Sequence, residues 1–265
     1  MSLRVGEIPF LCAAPFYAGL DDEGRAAVTL VRAAPRALGG LARVGVLDAA
    51  PLSAVDALAL CASGGWEPLV HAGDWLGIGA RGAVGSVLCF AHEPLERWSG
   101  RTVQIPPESA TSVRLLAWLA ARRGVRPTFS EAGEAPLAGA VARLLIGDAA
   151  LAERARAPHV PVLDLGAEWQ RATTLPFVFG LWVARRAVAA DERARLAASL
   201  HAAAGRRAAL APELARAWEA RTATPAAALV DYLARLRHQL GADDRAGLQR
   251  FQVVLDATSP QEIRP

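Results

Sequence analysis

The sequence predicts an α/β fold in which a mostly parallel sheet carries helices on both faces, followed by a helical C-terminal segment. Three observations carry that reading. Short apolar runs of strand length alternate with helically spaced stretches up to about Asp191, the pattern of strand–helix–strand units. After Asp191 four stretches of helical character follow one another. Two strands, Ser86–Ala91 and Phe177–Val183, are the most continuously apolar, as expected where a chain crosses between two lobes and later returns.

The first strand is Leu3–Phe10, with Leu3, Val5 and Phe10 apolar and Gly6-Glu7-Ile8-Pro9 closing it. Further strands are expected at Val28–Arg32, Leu47–Pro51, Trp75–Gly79, Ser86–Ala91, Thr102–Ile105, Arg143–Ile146, Val160–Asp164 and Phe177–Val183. Between them, apolar spacing places helices at Pro35–Val44, Ala54–Leu60, Ala110–Arg123, Asp148–Arg156 and Ala167–Ala172. The C-terminal helices are Asp191–Arg207, Pro212–Arg221, Pro225–Leu240 and Asp243–Leu255, punctuated by Pro212, Pro225 and Gly241. No internal period repeats, and no low-complexity linker divides the chain.

Composition narrows the function. A chain of 265 residues, 53% hydrophobic and 21% charged, has volume for a buried core and is not a disordered polymer. The net charge of +3 is too small to argue for nucleic acid, and the arginines are scattered without interleaved aromatics. That mild positive bias suits a small anionic ligand. No apolar run reaches the roughly 18 to 20 residues that span a bilayer, so no membrane role is expected. Cys12, Cys61 and Cys89, an odd number, fit free thiols in a reducing cytoplasm better than a disulfide framework. The opening stretch is read as a first strand and not an export signal, because Glu7 and Pro9 interrupt the apolar run and Leu11 precedes Cys12.

Several loops at strand ends offer hydroxyls and backbone amides. In Pro106-Pro107-Glu108-Ser109-Ala110-Thr111-Ser112, Ser109 reads as the N-cap of a helix whose positive end could hold a carboxylate, with Thr111 and Ser112 adding donors. In Leu145-Ile146-Gly147-Asp148, Gly147 lets backbone approach a ligand and Asp148 is read chiefly as a cap for the next helix. Ser86 opens an apolar strand after Gly85, and Thr173 and Thr174 precede another. The five histidines are dispersed and no Cys-x-x-Cys occurs, so neither a metal nor another cofactor is expected. Shared hydroxyls and amides with few acids or bases describe a cleft for a carboxylate-rich small molecule.

Taken in order, Ile8-Pro9-Phe10-Leu11-Cys12-Ala13-Ala14-Pro15-Phe16, Ala50-Pro51-Leu52-Ser53, Gly85-Ser86-Val87, Glu108–Val113, Leu145–Asp148 and Leu175–Phe179 resemble the chorismate dehydratase family of the futalosine route to menaquinone. The resemblance runs through nearly the whole chain. It implies a two-lobed fold like the type 2 periplasmic binding proteins, with residues 1–85 plus 180–265 as one lobe and 86–179 as the other. It implies chorismate or a close relative in the cleft, Cys12 and Ser86 at the chemistry, and Ser53, Ser109, Ala110, Thr111, Ser112, Gly147, Asp148 and Thr173 around the substrate. A sister enzyme of the pathway carries a catalytic histidine where this chain has Gly147, so the dehydratase is the nearer match. Three positions depart from the family: Cys12 where asparagine is usual, Thr174 where glycine is usual and Ala83 where proline is usual. These departures leave open a binding protein without catalysis, or a family member with a changed substrate. The oligomeric state is not legible.

Overall fold

A computed structural model describes residues 2–131 and 136–257. In chain order the elements are β1 (Leu3–Glu7), α1 (Ala14–Ala18), α2 (Asp22–Ala26), β2 (Val28–Arg32), α3 (Pro35–Arg43), β3 (Ala49–Ser53), α4 (Ala54–Ala62), β4 (Trp66–Pro68), β5 (Val70–His71), β6 (Asp74–Ala80) and β7 (Val87–Ala91). After a 3-10 turn at Leu95–Arg97 come β8 (Thr102–Ile105), α5 (Thr111–Ala121), β9 (Thr128–Glu131), β10 (Ala142–Ile146), α6 (Gly147–Arg156), β11 (Val162–Asp164), α7 (Leu165–Thr173) and β12 (Phe177–Arg185). The chain closes with α8 (Ala190–Gly205), α9 (Arg207–Thr222), α10 (Ala226–Arg235), β13 (Leu236–Leu240) and α11 (Ala242–Ala257).

Among the described residues the strands form two sheets. The larger is ordered β13-β6-β12-β3-β1-β2, with β4 beside β12 and β5 beside β6; the smaller is β11-β7-β10-β8-β9. Only β1–β2, β1–β3, β8–β9 and β8–β10 pair in parallel, which corrects the expectation of a mostly parallel sheet. The strands that enter from the opposite sheet contribute to this. β7 runs antiparallel to β10 and β11, and β12 antiparallel to β3, β4 and β6, while β6 also pairs antiparallel with β5 and β13. Both apolar strands singled out from the sequence are these crossing strands. Phe177 and Val178 already pair with Ala80 and Gly79, so the larger sheet begins before residue 180.

The C-terminal region differs from expectation in two ways. The helix expected over Pro225–Leu240 ends at Arg235, and Leu236–Leu240 is a strand on β6 with Leu236, His238 and Leu240 buried on alternate positions. Leu229, Leu233, Leu236 and Leu240 also satisfy helical spacing, so the pattern alone is ambiguous. Pro212, expected to punctuate, lies inside α9. As the sixth residue of α9 it lacks the N–H that would bond to the Ala208 carbonyl, and the helix continues past it. Helices α1 and α2 and strands β4, β5 and β9 were not anticipated.

An aromatic strip backs the crossing at β12. Trp169 of α7 lies 5.1 Å from Trp118 and 5.0 Å from Phe177, and Phe177 lies 4.9 Å from Phe251 of α11, ring centre to ring centre. Trp169, Phe177 and Phe251 are fully buried, so side chains from both sheets share one core where the chain returns. Strand β1 is woven between β2 and β3, which makes Leu3–Glu7 part of the fold. Cys12, Cys61 and Cys89 are free thiols. Among the described residues no helix is long and apolar enough to cross a membrane.

Candidate functional site

Four parallel-paired strands, β1, β3, β8 and β10, deliver their carboxyl ends to one cleft, the place where ligands collect in open α/β sheets. The cleft has a cavity volume of about 90 Å³, and Cys12, Ser53, Ser86, Ser109, Ala110, Thr111, Ser112 and Gly147 all line it. Phe10, Glu108 and Phe179 line it as well. Asp148 and Thr173 do not.

The first loop is held rigidly. Tyr17 accepts a hydrogen bond from the Ile8 N–H at 3.1 Å and donates to the Gly6 carbonyl at 3.2 Å, which fixes the exit of β1. The Cys12 carbonyl lies 2.7 Å from His238 Nε2, and Arg207 lies 3.1 Å from His238 Nδ1. Since arginine only donates, Nδ1 accepts and the ring proton is on Nε2, donated to Cys12. Burial, with Arg207 adjacent, lowers the His238 pKa to about 4, so the ring is neutral. His238 thus braces the Cys12 backbone and does not act as a base on the thiol. Burial first, then Asp148, pushes the Cys12 thiol up to about 12, so Cys12 presents a neutral S–H and not a nucleophilic thiolate.

Ser86 sits at the mouth of β7. The loop before it hangs on Asp164, whose carboxylate accepts from Val84 N–H at 3.1 Å and Gly85 N–H at 2.7 Å while capping α7 through Gly166 and Ala167. Ser86 is buried; its hydroxyl accepts from Tyr232 at 2.9 Å and its carbonyl accepts from Gly147 N–H at 2.8 Å. Tyr232 of α10 and His238 of β13 were not singled out in the sequence. Tyr232 lay unmarked in an expected helix, and His238 is placed only by the unexpected strand.

The helix starts differ from the sequence reading. The N-cap position of α5 is Ala110 and not Ser109, and no side chain caps the helix. The first N–H groups of α5 therefore stay open at the cleft, at the positive end of the dipole. Thr111 is already engaged, accepting from Val55 N–H at 3.2 Å and tying α4 to α5. Ser53 caps α4, accepting from Asp56 N–H at 3.1 Å and donating to the Asp56 carboxylate at 2.8 Å; Arg43 pairs with the same carboxylate.

Gly147 has φ +57°, and a Cβ there would stand 2.7 Å from the Phe10 ring. Its missing side chain makes room for Phe10 as much as for any ligand, and a histidine at this position would displace the ring. Asp148 does not cap α6, whose N-cap is Ile146 without a side-chain bond. Its carboxylate instead accepts from Leu11 N–H and Trp218 Nε1, both at 2.9 Å, and Arg221 lies 3.5 Å away. Asp148 ties α6 to the first loop and α9. Thr173 closes α7 locally, donating to the Trp169 carbonyl at 2.8 Å and accepting from Leu175 N–H. Thr174 next to it has φ +64°, a left-handed conformation that costs a β-branched residue and suits the glycine that the resemblance implies there.

This two-sheet architecture with a cleft between the sheets defines a protein of the periplasmic-binding-protein-like class. The fold aligns with protein AF1704 from Archaeoglobus fulgidus at TM-score 0.77 and 16% identity over 97% of each chain. It aligns with the periplasmic aliphatic sulphonate binding protein SsuA from Escherichia coli at TM-score 0.66 and 16% identity, over 99% of this chain and 89% of that one. A Candida albicans protein described as having the generic periplasmic binding protein fold aligns at TM-score 0.64 and 10% identity, over 99% and 93%. The sequence is more specific than the fold. A family model described as menaquinone biosynthesis matches residues 3–256, and the chain belongs to that family. It is 34% identical over 170 residues to chorismate dehydratase from Thermus thermophilus, a stretch spanning 58% of this chain and 62% of the relative.

Proposed function

We propose that the protein is a carbon–oxygen lyase that removes water from chorismate to give 3-[(1-carboxyvinyl)oxy]benzoate in cytoplasmic menaquinone biosynthesis. The observation that best supports this is a cleft pairing an uncapped helix N-terminus with serine hydroxyls, inside a chain of the menaquinone family. The α5 amides with Ser109 and Ser112 suit a substrate carboxylate; Ser86 and Cys12 stand on the other side as neutral donors. Residues 1–85 plus 180–265 and residues 86–179 act as the two lobes, with the change-over nearer residue 177 where β12 joins the larger sheet.

In the reaction a ring C–H bond and the neighbouring C–OH bond break, the electron pair enters the ring, and proton and hydroxyl leave as water. Aromatisation drives the step, so the protein mainly orients the dianion and stabilises the departing hydroxyl. A substrate carboxylate takes the ring proton. Glu108 is the carboxylate among the cleft-lining residues and offers a second acceptor, so Glu108→Gln distinguishes the two: unchanged kcat leaves the base to the substrate. The deciding experiment is chorismate incubated with purified protein and followed by chromatography with mass detection. Loss of one water with new aromatic absorbance is expected; unchanged chorismate overturns the reading.

A further inference from the structure

We infer that Tyr232 is a positioning residue which aims the Ser86 hydroxyl proton into the cleft. The two hydroxyl oxygens are 2.9 Å apart and both residues are buried, while Ser86 lines the cleft and Tyr232 stands behind it.

A phenol has one proton to give, and a hydroxyl accepts it well. The result is an ordered run in which Tyr232 donates and Ser86 accepts. Ser86, already accepting, makes no other side-chain hydrogen bond among the described residues, and its own proton faces the cleft. Donation into Ser86 also polarises its O–H, making it a stronger donor to a developing negative oxygen. The same geometry keeps Ser86 from acting as a base. Burial holds Tyr232 protonated, so the direction of the run does not reverse at ordinary pH.

On the proposed reaction, Ser86 then meets the departing hydroxyl, and this role of Tyr232 rests on that reading. Tyr232→Phe removes the phenol oxygen and keeps the ring. It should lower kcat about tenfold to a hundredfold with KM within about threefold, since the interaction strengthens only as charge develops. Ser86→Ala with Tyr232→Phe should be no slower than Ser86→Ala alone, because Tyr232 acts through Ser86. Multiplying losses would overturn the inference. A second readout needs no turnover. The chain has two tyrosines, so protein labelled at the tyrosine ring carbon bearing oxygen gives two resonances, and Tyr232→Phe identifies one. That resonance should move on Ser86→Ala in the ligand-free protein; an unmoved signal overturns the inference. Wild-type protein that leaves chorismate intact would defeat the dehydratase reading alone, and the tyrosine resonances would still decide the hydrogen-bonded run.

Discussion

Helices α4 and α5 both begin at the cleft, and both are preceded by serine. At α4, Ser53 occupies the N-cap, its hydroxyl engaged with Asp56, and Arg43 seals the carboxylate from outside. At α5, the cap position falls on Ala110, Ser109 stands one residue too early, and no side chain closes the helix end. Identical local chemistry therefore has opposite uses. One serine completes the protein's own structure, and the other helix start keeps its donors available to a ligand. The contrast extends to the walls: the first-loop wall is braced by Tyr17, His238 and Asp148, whereas the α5 wall presents unbonded groups.

The largest test breaks the second wall where it touches the first. Gly147→Ala puts a Cβ in a left-handed conformation and against Phe10, which should cost about 4 kcal/mol. Thermal unfolding should show Tm falling by about 8–16 °C, and an unchanged Tm would mean the walls meet loosely. Next, Cys12→Asn replaces a weak donor with an amide on the braced wall. Steady-state kinetics on chorismate should show kcat rising about a hundredfold, and no gain would show that Ser86 and its partners suffice.

The third test concerns the brace itself. His238 has a pKa of about 4 in the folded chain and about 6.5 unfolded, so the unfolded state binds more protons between those values. Its contribution is fully present above about pH 6.5 and is lost as pH falls toward 4. Between pH 7 and pH 5 the wild type should lose about 2 kcal/mol more than His238→Gln, measured by denaturant unfolding at each pH. Equal losses would mean His238 is not held neutral. The smallest effects sharpen the comparison directly. Ser53→Ala should cost about 1 kcal/mol of stability with KM little changed. Ser112→Ala should leave Tm in place and raise KM about threefold to tenfold.

Much of this was legible in the residues. Val28–Arg32 and Thr102–Ile105 were bounded as found, and the two apolar strands were recognised as crossings because a strand covered on both faces has no polar alternation to display. The motif positions that line the cleft converge because they lie at or just beyond strand ends, with Ser86 just before β7. What stayed hidden depended on period and distance. Leu236–Leu240 keeps a helical spacing while folding as a strand, and with it went His238. Ser109 reads as a cap from its neighbours alone, and the helix starts one residue later, with Ala110 at the cap position. Asp148 has the composition of a cap, yet Leu11 and Trp218, far away in sequence, claim its oxygens.

Ala80 and Phe177 are register partners, so the chain leaves the larger sheet and re-enters it at a single rung. The described residues between those two are joined to the rest by that rung and by side-chain ties such as Asp148 to Leu11 and Thr111 to Val55. A two-residue hairpin turn joining Ala80 to Phe177 would close β6 onto β12 without breaking any ladder pair of the larger sheet. The same rung admits any other segment whose ends lie one strand spacing apart. Exchanging the cassette between relatives would then swap the uncapped helix start and leave Cys12, Ser53 and Tyr232 where they are.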